Sequence, residues 1–231
     1  MLPLTLFAAC TTPVEAVPTE PSEAPVSKAS SAPEPAPEPA EPALPAGCVA
    51  TAAELPASPY HSADDPRWTQ DDIIVVLKRA RRVLLFDQGQ LVTLEDGSPA
   101  CWRAGLASGY PEGHKQVMGD MKTPEGWYDT SDRPWSAFYS AITIHYPEVA
   151  DAERGVQQGL IRQEQADAIV AAHQKKTLPP METRLGGKIL LHGGGGTSDW
   201  TLGCVALDDA HIDALRAQLP RSMRTEVLIL P

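Results

Sequence analysis

The most informative part of the chain is residues 186–207, which read GGKILLHGGGGTSDWTLGCVAL. A short apolar run ends at His192, four glycines follow, and a single thiol, Cys204, stands between Gly203 and the apolar residues 205–207. Glycine adopts backbone conformations that other residues avoid, so this segment can turn tightly. A histidine and a cysteine brought together by such a turn are the minimum for a thiol nucleophile with its base.

Other interpretations of this stretch carry less support. A buried cysteine is often only a small apolar residue, and a histidine at a strand end is often a satisfied polar group. A zinc site would combine His192, Cys204 and His211, but these three lack paired-ligand spacing and a fourth ligand. A phosphate loop at 193–196 would need a Lys-Ser/Thr pair after its glycines. We therefore expect no metal and no cofactor.

Composition divides the chain into two parts. Residues 11–47 consist mainly of Pro, Ala, Glu and Ser, and we predict a disordered linker because such a segment cannot bury enough apolar surface to order itself. The rest suits one domain with a single core. The formal net charge of −11 argues against nucleic acid as a partner, since phosphate binding needs a basic face. The basic cluster Lys78, Arg79, Arg81 and Arg82 is interpreted as a solvated strand end.

The N-terminus suggests export. Residues 1–10, MLPLTLFAAC, are similar to the end of a bacterial lipoprotein signal, in which Cys10 would be lipidated. The segment has no Lys or Arg before its apolar part and is short for a signal core, which a start codon placed too far downstream would explain. An incidental apolar N-terminus is the alternative. No stretch is long enough to span a bilayer, so we expect membrane contact through a lipid anchor only.

Two cysteines remain once Cys10 and Cys204 are assigned. In an exported protein, Cys48 and Cys101 could form a disulfide that fixes the end of the linker to the domain. Two unrelated buried thiols are the alternative, because sequence alone does not determine connectivity.

The apolar pattern predicts a mainly β domain. Alternating and β-branched segments predict an antiparallel meander followed by later strands. The predicted strands are 73–77, 82–87, 90–94, 101–107, 141–146, 188–191 and 226–230.

Other segments have different patterns. Residues 48–71 form an irregular lead-in, and 108–135, rich in Gly, Pro, Asp and aromatic residues, are predicted to be a long functional loop. Helical spacing over about 151–176 predicts one or two helices inserted between strands. A lid over the site is the favoured interpretation, and a decoration without a role at the site is the alternative. A last helix is expected from Asp208, as N-cap, to Pro220.

The motifs resemble those of the L,D-transpeptidase catalytic domain family (YkuD-like). That family has a strand, His-Gly, a variable Gly/Ser-rich stretch, and Ser/Thr-x-Gly-Cys before an apolar residue. The matching residues here are His192-Gly193 and Thr201-Leu202-Gly203-Cys204-Val205. Upstream, Gly113-His114-Lys115, Gly119-Asp120 and the TPEGWY of 123–128 are similar to the family's Thr-Pro-x-Gly loop. Tyr146-Pro147, Asp151 and Gly186-Gly187 are similar to its YafK-type branch.

The likeness covers about residues 72–231 and has two departures. Leu202 stands where many members have a second histidine, which puts more weight on His192 as the sole base. Ala206 stands where many members have an arginine, which leaves recognition of a substrate carboxylate open.

The resemblance implies an α+β, mainly β fold: an antiparallel or mixed β-sandwich with a helical insertion and a C-terminal helix beside the catalytic cysteine. It implies that Cys204 attacks a peptidoglycan stem tetrapeptide, releasing D-alanine and forming a thioester. His192 would be the general base and acid, and backbone N–H groups of Gly203 and Cys204 would hold the oxyanion. The substrate-binding candidates are Gly193, Asp199, Trp200, Thr201 and His114.

Several outcomes fit this resemblance. The thioester would pass to an amine of a second stem peptide or of a wall-attached lipoprotein, giving a transpeptidase on the periplasmic side of the cell envelope. Water as acceptor would instead give a carboxypeptidase, or an amidase that frees a wall-bound lipoprotein. A non-catalytic wall-binding lipoprotein and a thiol peptidase for ordinary L-peptides are the remaining alternatives.

Overall fold

The computed structural model describes residues 43–70, 72–220 and 225–231. The predicted signal segment with Cys10, and nearly all of the predicted linker, lie outside these ranges. The strands in the described ranges are β1 Ile73–Leu77, β2 Arg82–Asp87, β3 Gln90–Leu91, β4 Cys101–Arg103, β5 Gly126–Ser136, β6 Tyr139–Ile144, β7 Leu190–His192, β8 Val205–Ala206 and β9 Glu226–Leu230. The α-helices there are α1 Val149–Gln157, α2 Gln163–Gln174 and α3 Asp209–Gln218, and two short 3-10 helices cover Ala52–Glu54 and Pro66–Thr69.

The strands form a mixed sheet in the order β3-β2-β1-β9-β5-β6-β7-β8, with β4 paired to β2. The pairs β1–β9 and β7–β8 are parallel, and the remaining pairs between these strands are antiparallel. The α+β, mainly β class expected from the sequence is confirmed.

Strand β5 joins the two halves of this sheet. Its residues 126–129 pair with β9, whereas residues from Thr130 onward pair with β6. Side chains from both halves, among them Tyr128, Ile142 and Ile229, meet in one buried cluster. A strand shared in this way lets one continuous sheet cover both sides of a core, as the two sheets of a sandwich do.

The prediction that 108–135 is a loop is wrong for its last part, because β5 begins at Gly126. The sequence GWYDTSDRPWS of 126–136 is polar and contains a proline, so it lacks the apolar run that marks most strands. Its burial nevertheless alternates over the first five residues, with Gly126, Tyr128 and Thr130 buried. A period of two is the strand pattern, and here small and polar residues carry it.

The lengths of several other elements differ from the prediction. Strands β3 and β4 are shorter than the predicted 90–94 and 101–107, because Thr93, Gly105 and Ala107 form only isolated bridges. Strand β7 begins two residues later than predicted and ends one residue later, at His192 itself. The helical insertion consists of α1 and α2, which pack together around buried Ile161, Ile169 and Leu185.

The interpretation of the basic cluster as a solvated strand end is wrong for two of its members. Lys78 is 1% exposed, and its Nζ donates to Glu125 Oε1 at 2.8 Å and to the carbonyls of Gly113 at 2.9 Å and Thr123 at 3.2 Å. Arg81 forms a two-pronged ion pair with Asp199, at 3.0 and 2.7 Å. These cations therefore anchor the 113–125 segment and the glycine-rich segment to the β1–β2 turn.

A disulfide joins the lead-in to the sheet. Cys48 and Cys101 are bonded, with their Cα atoms 6.1 Å apart and a separation of 53 positions in sequence. Cys101 is the first residue of β4, so the bond fixes the end of the predicted linker at this strand. The lead-in itself packs on the second buried cluster, where Ala52, Leu55 and Trp68 contact the apolar face of β1 and β2.

The buried ion pair gives the first prediction. Lys78→Met should lower the free energy of unfolding by about 3–5 kcal/mol, because Glu125 would be left buried without its partner. The double variant Lys78→Met/Glu125→Gln should recover part of this loss. Arg79, an exposed member of the same cluster, gives the control, and Arg79→Met should change stability by no more than about 0.5 kcal/mol. Urea unfolding measures all three, and a Lys78→Met variant as stable as the control would contradict the buried pairing.

Candidate active site

The parallel pair β7–β8 brings the two predicted catalytic residues together. Leu191 lies opposite Val205 and His192 opposite Ala206, and Cys204 immediately precedes β8. Residues opposite each other in a pair of strands point to the same face, so Ala206 shares the face of His192, and Cys204 stands two residues before Ala206. Both His192 and Cys204 line the same cavity.

The imidazole of His192 is held in one orientation. Its Nδ1 lies 2.6 Å from the carbonyl oxygen of Gly193, which can only accept, so Nδ1 carries a proton and Nε2 is the acceptor nitrogen. The side chain is buried, and burial lowers the pKa of His192 because the charged imidazolium loses solvation. The ring is therefore a neutral base at neutral pH.

The thiol of Cys204 is half-buried and open to the cavity. Its Sγ donates to the carbonyl oxygen of Lys188 at 3.7 Å, and no hydrogen bond joins it to the His192 ring in the described structure. Burial raises the pKa of the Cys204 thiol, while a backbone hydrogen bond from Leu190 and the positive charge of Lys115 act in the opposite direction. The resting pair is therefore a neutral thiol and a neutral imidazole.

Helix α3 fixes the glycine run between these residues. The carboxylates of Asp208 and Asp209, at its N-terminus, accept from the N–H groups of Gly196 and Gly194, each at 2.8 Å. Asp208 is the N-cap by position, as predicted, but its side chain makes no cap hydrogen bond and serves the glycine run instead. Gly193 has no room for a side chain, because a Cβ there would lie 2.5 Å from Asp209 Oδ1.

The turn at Gly203 is equally constrained. Its φ is +121°, and an added Cβ would lie 2.8 Å from the carbonyl oxygen of Lys122. Thr201 braces this turn, since its Oγ1 donates to the carbonyl of Cys204 at 2.8 Å and accepts from Gly203 N–H at 3.3 Å. The sequence motif Thr-x-Gly-Cys thus builds one turn that sets the position of the thiol.

Two aromatic rings cover the histidine. Phe138, at the β5–β6 turn, stacks on the His192 ring with a centroid distance of 4.7 Å, and Trp200 meets it edge-on at 5.4 Å. Trp200 Nε1 donates to the carbonyl of Gly195 at 2.9 Å, which ties this ring to the glycine run. Phe138 was not among the predicted site residues, because it is distant in sequence and no motif marks it.

The cavity has a volume of about 910 Å³, a size suited to a peptide segment. Much of its wall is apolar and adaptable, with three methionines as well as Phe138 and Ile189. Its lining residues are Lys115, Met118, Gly119, Met121, Phe138, Met181, Glu182, Gly186, Gly187, Lys188, Ile189, His192, Trp200, Thr201, Leu202 and Cys204. Of the predicted substrate-binding candidates, Trp200 and Thr201 therefore line the cavity.

Two other candidates have partners outside the cavity. Asp199 pairs with Arg81, and its Oδ1 also accepts from Leu106 N–H at 2.9 Å. His114 accepts from Glu125 N–H at its Nδ1, at 3.0 Å, and its Nε2 contacts Asp151 Oδ1 at 2.6 Å. These side chains hold the segments around the site in position.

The insertion does not cover the site as the lid interpretation expected. In the described structure the cavity wall takes no residue from α1 or α2, and the segment after them, from Met181 to Ile189, supplies part of it instead. His211, the third member of the zinc alternative, lies on α3 with its ring 6.5 Å from that of Trp102. Among the described residues no group of three or more His, Cys, Asp or Glu side chains is arranged to hold a metal ion.

Comparison with known families identifies the domain. The YkuD model, described as the L,D-transpeptidase catalytic domain, matches residues 71–229. The chain therefore belongs to this family, as its motifs predicted. The family acts on peptidoglycan stem peptides, which lie in the cell envelope. Within the described ranges, no helix has the length and apolar character needed to cross a membrane.

Individual relatives are distant. No curated protein matches the chain. Pgp2 of Campylobacter jejuni, a helical cell shape determining protein, is 20% identical with a TM-score of 0.42 over 69% of this chain and 47% of that one. Bd1075 of Bdellovibrio bacteriovorus is 19% identical with a TM-score of 0.43, over 72% and 50%. An L,D-transpeptidase of Xylanimonas cellulosilytica is 15% identical with a TM-score of 0.38, over 71% and 63%. The chain spans about half the length of the first two.

The crowded turn at Gly203 gives a matched pair of variants. Gly203→Ala should slow the covalent labelling of Cys204 by at least about tenfold. The added side chain would clash with Lys122 and shift the turn, and a rise of about 1.4 kcal/mol in the activation free energy slows a reaction tenfold. Gly195 has a similar φ of +115° but open space around its Cβ position, so Gly195→Ala shares the backbone strain without the clash. The measurement is the rate of labelling of Cys204, and equal rates in the two variants would contradict a role for the close contact.

The pKa of the thiol gives a further prediction. Because burial raises it, the rate of alkylation of Cys204 by iodoacetamide should still increase above pH of about 8.5, the ordinary value for a free thiol. A Cys204→Ala variant measures labelling elsewhere in the chain. A rate that is already constant at neutral pH would show a preformed thiolate–imidazolium pair and would contradict the neutral resting state.

Proposed function

We propose that the protein is a peptidoglycan-modifying cysteine acyltransferase, an L,D-transpeptidase, with Cys204 as nucleophile and His192 as general base and acid. One observation supports this best. Strands β7 and β8 pair in register, and the imidazole of His192 and the half-buried thiol of Cys204 line the wall of one peptide-sized cavity. Membership of the YkuD family supplies the reaction class and the substrate class.

The first step forms a thioester. Cys204 Sγ attacks the carbonyl carbon of the amide that follows the third stem residue, and the thiol proton moves to Nε2 of His192, since Nδ1 is bonded to Gly193. The carbonyl oxygen becomes an oxyanion that accepts from backbone N–H groups of Cys204 and the Gly203 turn. The C–N bond then breaks, His192 returns the proton to the leaving amine, and D-alanine departs.

The neutral resting pair supports a role for His192 as general base. A thiol of raised pKa supplies little thiolate by itself, so the attack requires proton transfer during the reaction. Before attack, the thiol must turn from the carbonyl of Lys188 toward the imidazole. The long bond from Gly203 N–H to Thr201 Oγ1 is of a kind that a charged oxyanion can displace.

The second step transfers the acyl group. An amine of a second stem peptide, or of a wall-attached lipoprotein, attacks the thioester carbon while His192 accepts its proton. The new C–N bond forms, the C–S bond breaks, and the sulfur recovers its proton from the imidazolium. Water in place of the amine would give a shortened stem or a released lipoprotein, and product masses distinguish these outcomes.

We also propose a location on the periplasmic side of the cell envelope with Cys10 as the lipidation site. The disulfide between Cys48 and Cys101 supports export, because disulfides persist in oxidising compartments. The Pro/Ala/Glu-rich residues 11–47 would give a lipid-anchored catalytic domain reach toward the wall.

The catalytic assignment is tested with purified stem tetrapeptides. Cys204→Ala should abolish both D-alanine release and dimer formation, and His192→Ala should slow them by about 10²–10⁴-fold, the usual contribution of a general base. His211→Ala is the control, because this histidine follows the motif but packs near Trp102, and it should retain activity. Mass spectrometry of the products is the readout.

Each alternative gives a different result in this assay. A folded Cys204→Ala enzyme that still releases D-alanine would rule out the thioester mechanism. Wild-type protein that binds tetrapeptide without any product would favour a wall-binding role. Cleavage of ordinary L-peptides in preference to stem peptides would favour an unrelated thiol peptidase.

A further inference from the structure

An exposed ion pair lies on the wall of the cavity. Lys188 Nζ is 2.6 Å from Glu182 Oε1, and the two side chains are 68% and 75% exposed. Apart from His192 and Cys204, the ionisable cavity-lining residues in the described ranges are Lys115, Glu182 and Lys188. Lys115 is 3% exposed and already donates to Asp120 Oδ1 at 2.8 Å and to the carbonyl of Val117 at 3.0 Å. The charges that the cavity offers to a ligand are therefore those of Glu182 and Lys188.

The pair is close to the nucleophile and its backbone is fixed. The backbone carbonyl of Lys188 accepts a hydrogen bond from Cys204 Sγ. The residue that contacts the sulfur therefore also carries the ammonium group of the ion pair. Lys188 N–H also meets Sδ of Met181 at 3.2 Å, and a Cβ on Gly187 would lie 2.5 Å from Met181 Cβ. The segments that carry the two charges are thus packed together beside the reacting atom.

Separating an exposed ion pair of this kind costs little free energy. Ion pairs in contact with water contribute only about 0–1 kcal/mol, so a ligand can replace the internal contact with its own charges. A group bearing both an ammonium and a carboxylate would satisfy both partners, with its ammonium on Glu182 and its carboxylate on Lys188. A group bearing an ammonium alone would leave Lys188 without a counter-ion.

We propose that Glu182 and Lys188 are specificity-determining residues that select an acyl donor whose third stem residue ends in a carbon bearing both an ammonium and a carboxylate. This inference rests on the proposed function, because the acyl carbon must sit at Cys204. The arrangement also supplies a cation for a substrate carboxylate in a chain where Ala206 stands in place of the arginine of many family members.

The test compares two stem tetrapeptides that differ at the third residue, meso-diaminopimelate in one and lysine in the other. Wild-type enzyme should have a KM up to about fivefold lower for the diaminopimelate peptide, the effect of one exposed ion pair of about 1 kcal/mol. Lys188→Met should remove this preference with kcat within about twofold, and should leave the KM for the lysine peptide nearly unchanged. Glu182→Gln should raise the KM for both peptides, because both carry the ammonium.

The matched control is the exposed pair of Arg162 and Glu164, which are 3.5 Å apart and outside the cavity. Arg162→Met and Glu164→Gln should leave both KM values as in the wild type. Raising the salt concentration should reduce the preference in the wild type, because exposed charges are screened.

A Lys188→Met enzyme that keeps the wild-type ratio of KM values would overturn the proposal. If wild-type protein forms no product at all, the proposed function fails, and the subsite is then judged by binding. In that case calorimetry on Cys204→Ala protein should still show tighter binding of the diaminopimelate peptide, and equal affinity for the two peptides would overturn the selective role of the pair.

Discussion

The site depends on the parallel pairing of two very short strands, β7 and β8. Their register, Leu191 opposite Val205 and His192 opposite Ala206, places the strand that ends in His192 beside the turn that carries Cys204. A slip of one residue would send one of the two side chains to the opposite face, since side chains alternate along a strand. So short a pair has few hydrogen bonds of its own, and the surrounding structure must hold its register.

That support comes from both ends of the intervening segment. At one end, the carboxylates of α3 bind the N–H groups of the glycine run, and at the other, Thr201 braces the turn before the thiol. The ion pair between Arg81 and Asp199 ties the middle of the segment to the β1–β2 turn. Side chains that looked like substrate contacts therefore act on the geometry of the site, while the wall that faces a ligand is mostly apolar.

The placement of His192 and Cys204 at one cavity could be predicted from the sequence because they belong to a local motif, and so could the fold class and most strands. Strand β5 could not, because Thr130 and other small or polar residues fill its buried positions where apolar ones are expected. The role of Lys78 was missed for a different reason: its partner Glu125 is 47 residues away, and sequence alone does not show long-range pairing. The same limit concealed Phe138, whose contact with His192 exists only after β5 and β6 form their hairpin.

The central claim is that the thiol beside this imidazole is a working nucleophile. The most direct measurement is the intact mass of the protein after mixing with a carbapenem, a reagent that acylates cysteines of this family, followed by peptide mapping. We expect one covalent adduct, located on Cys204, that forms more slowly in a His192→Ala variant. A protein that gains no adduct, gains it on another residue, or reacts at the same rate without the imidazole would contradict it.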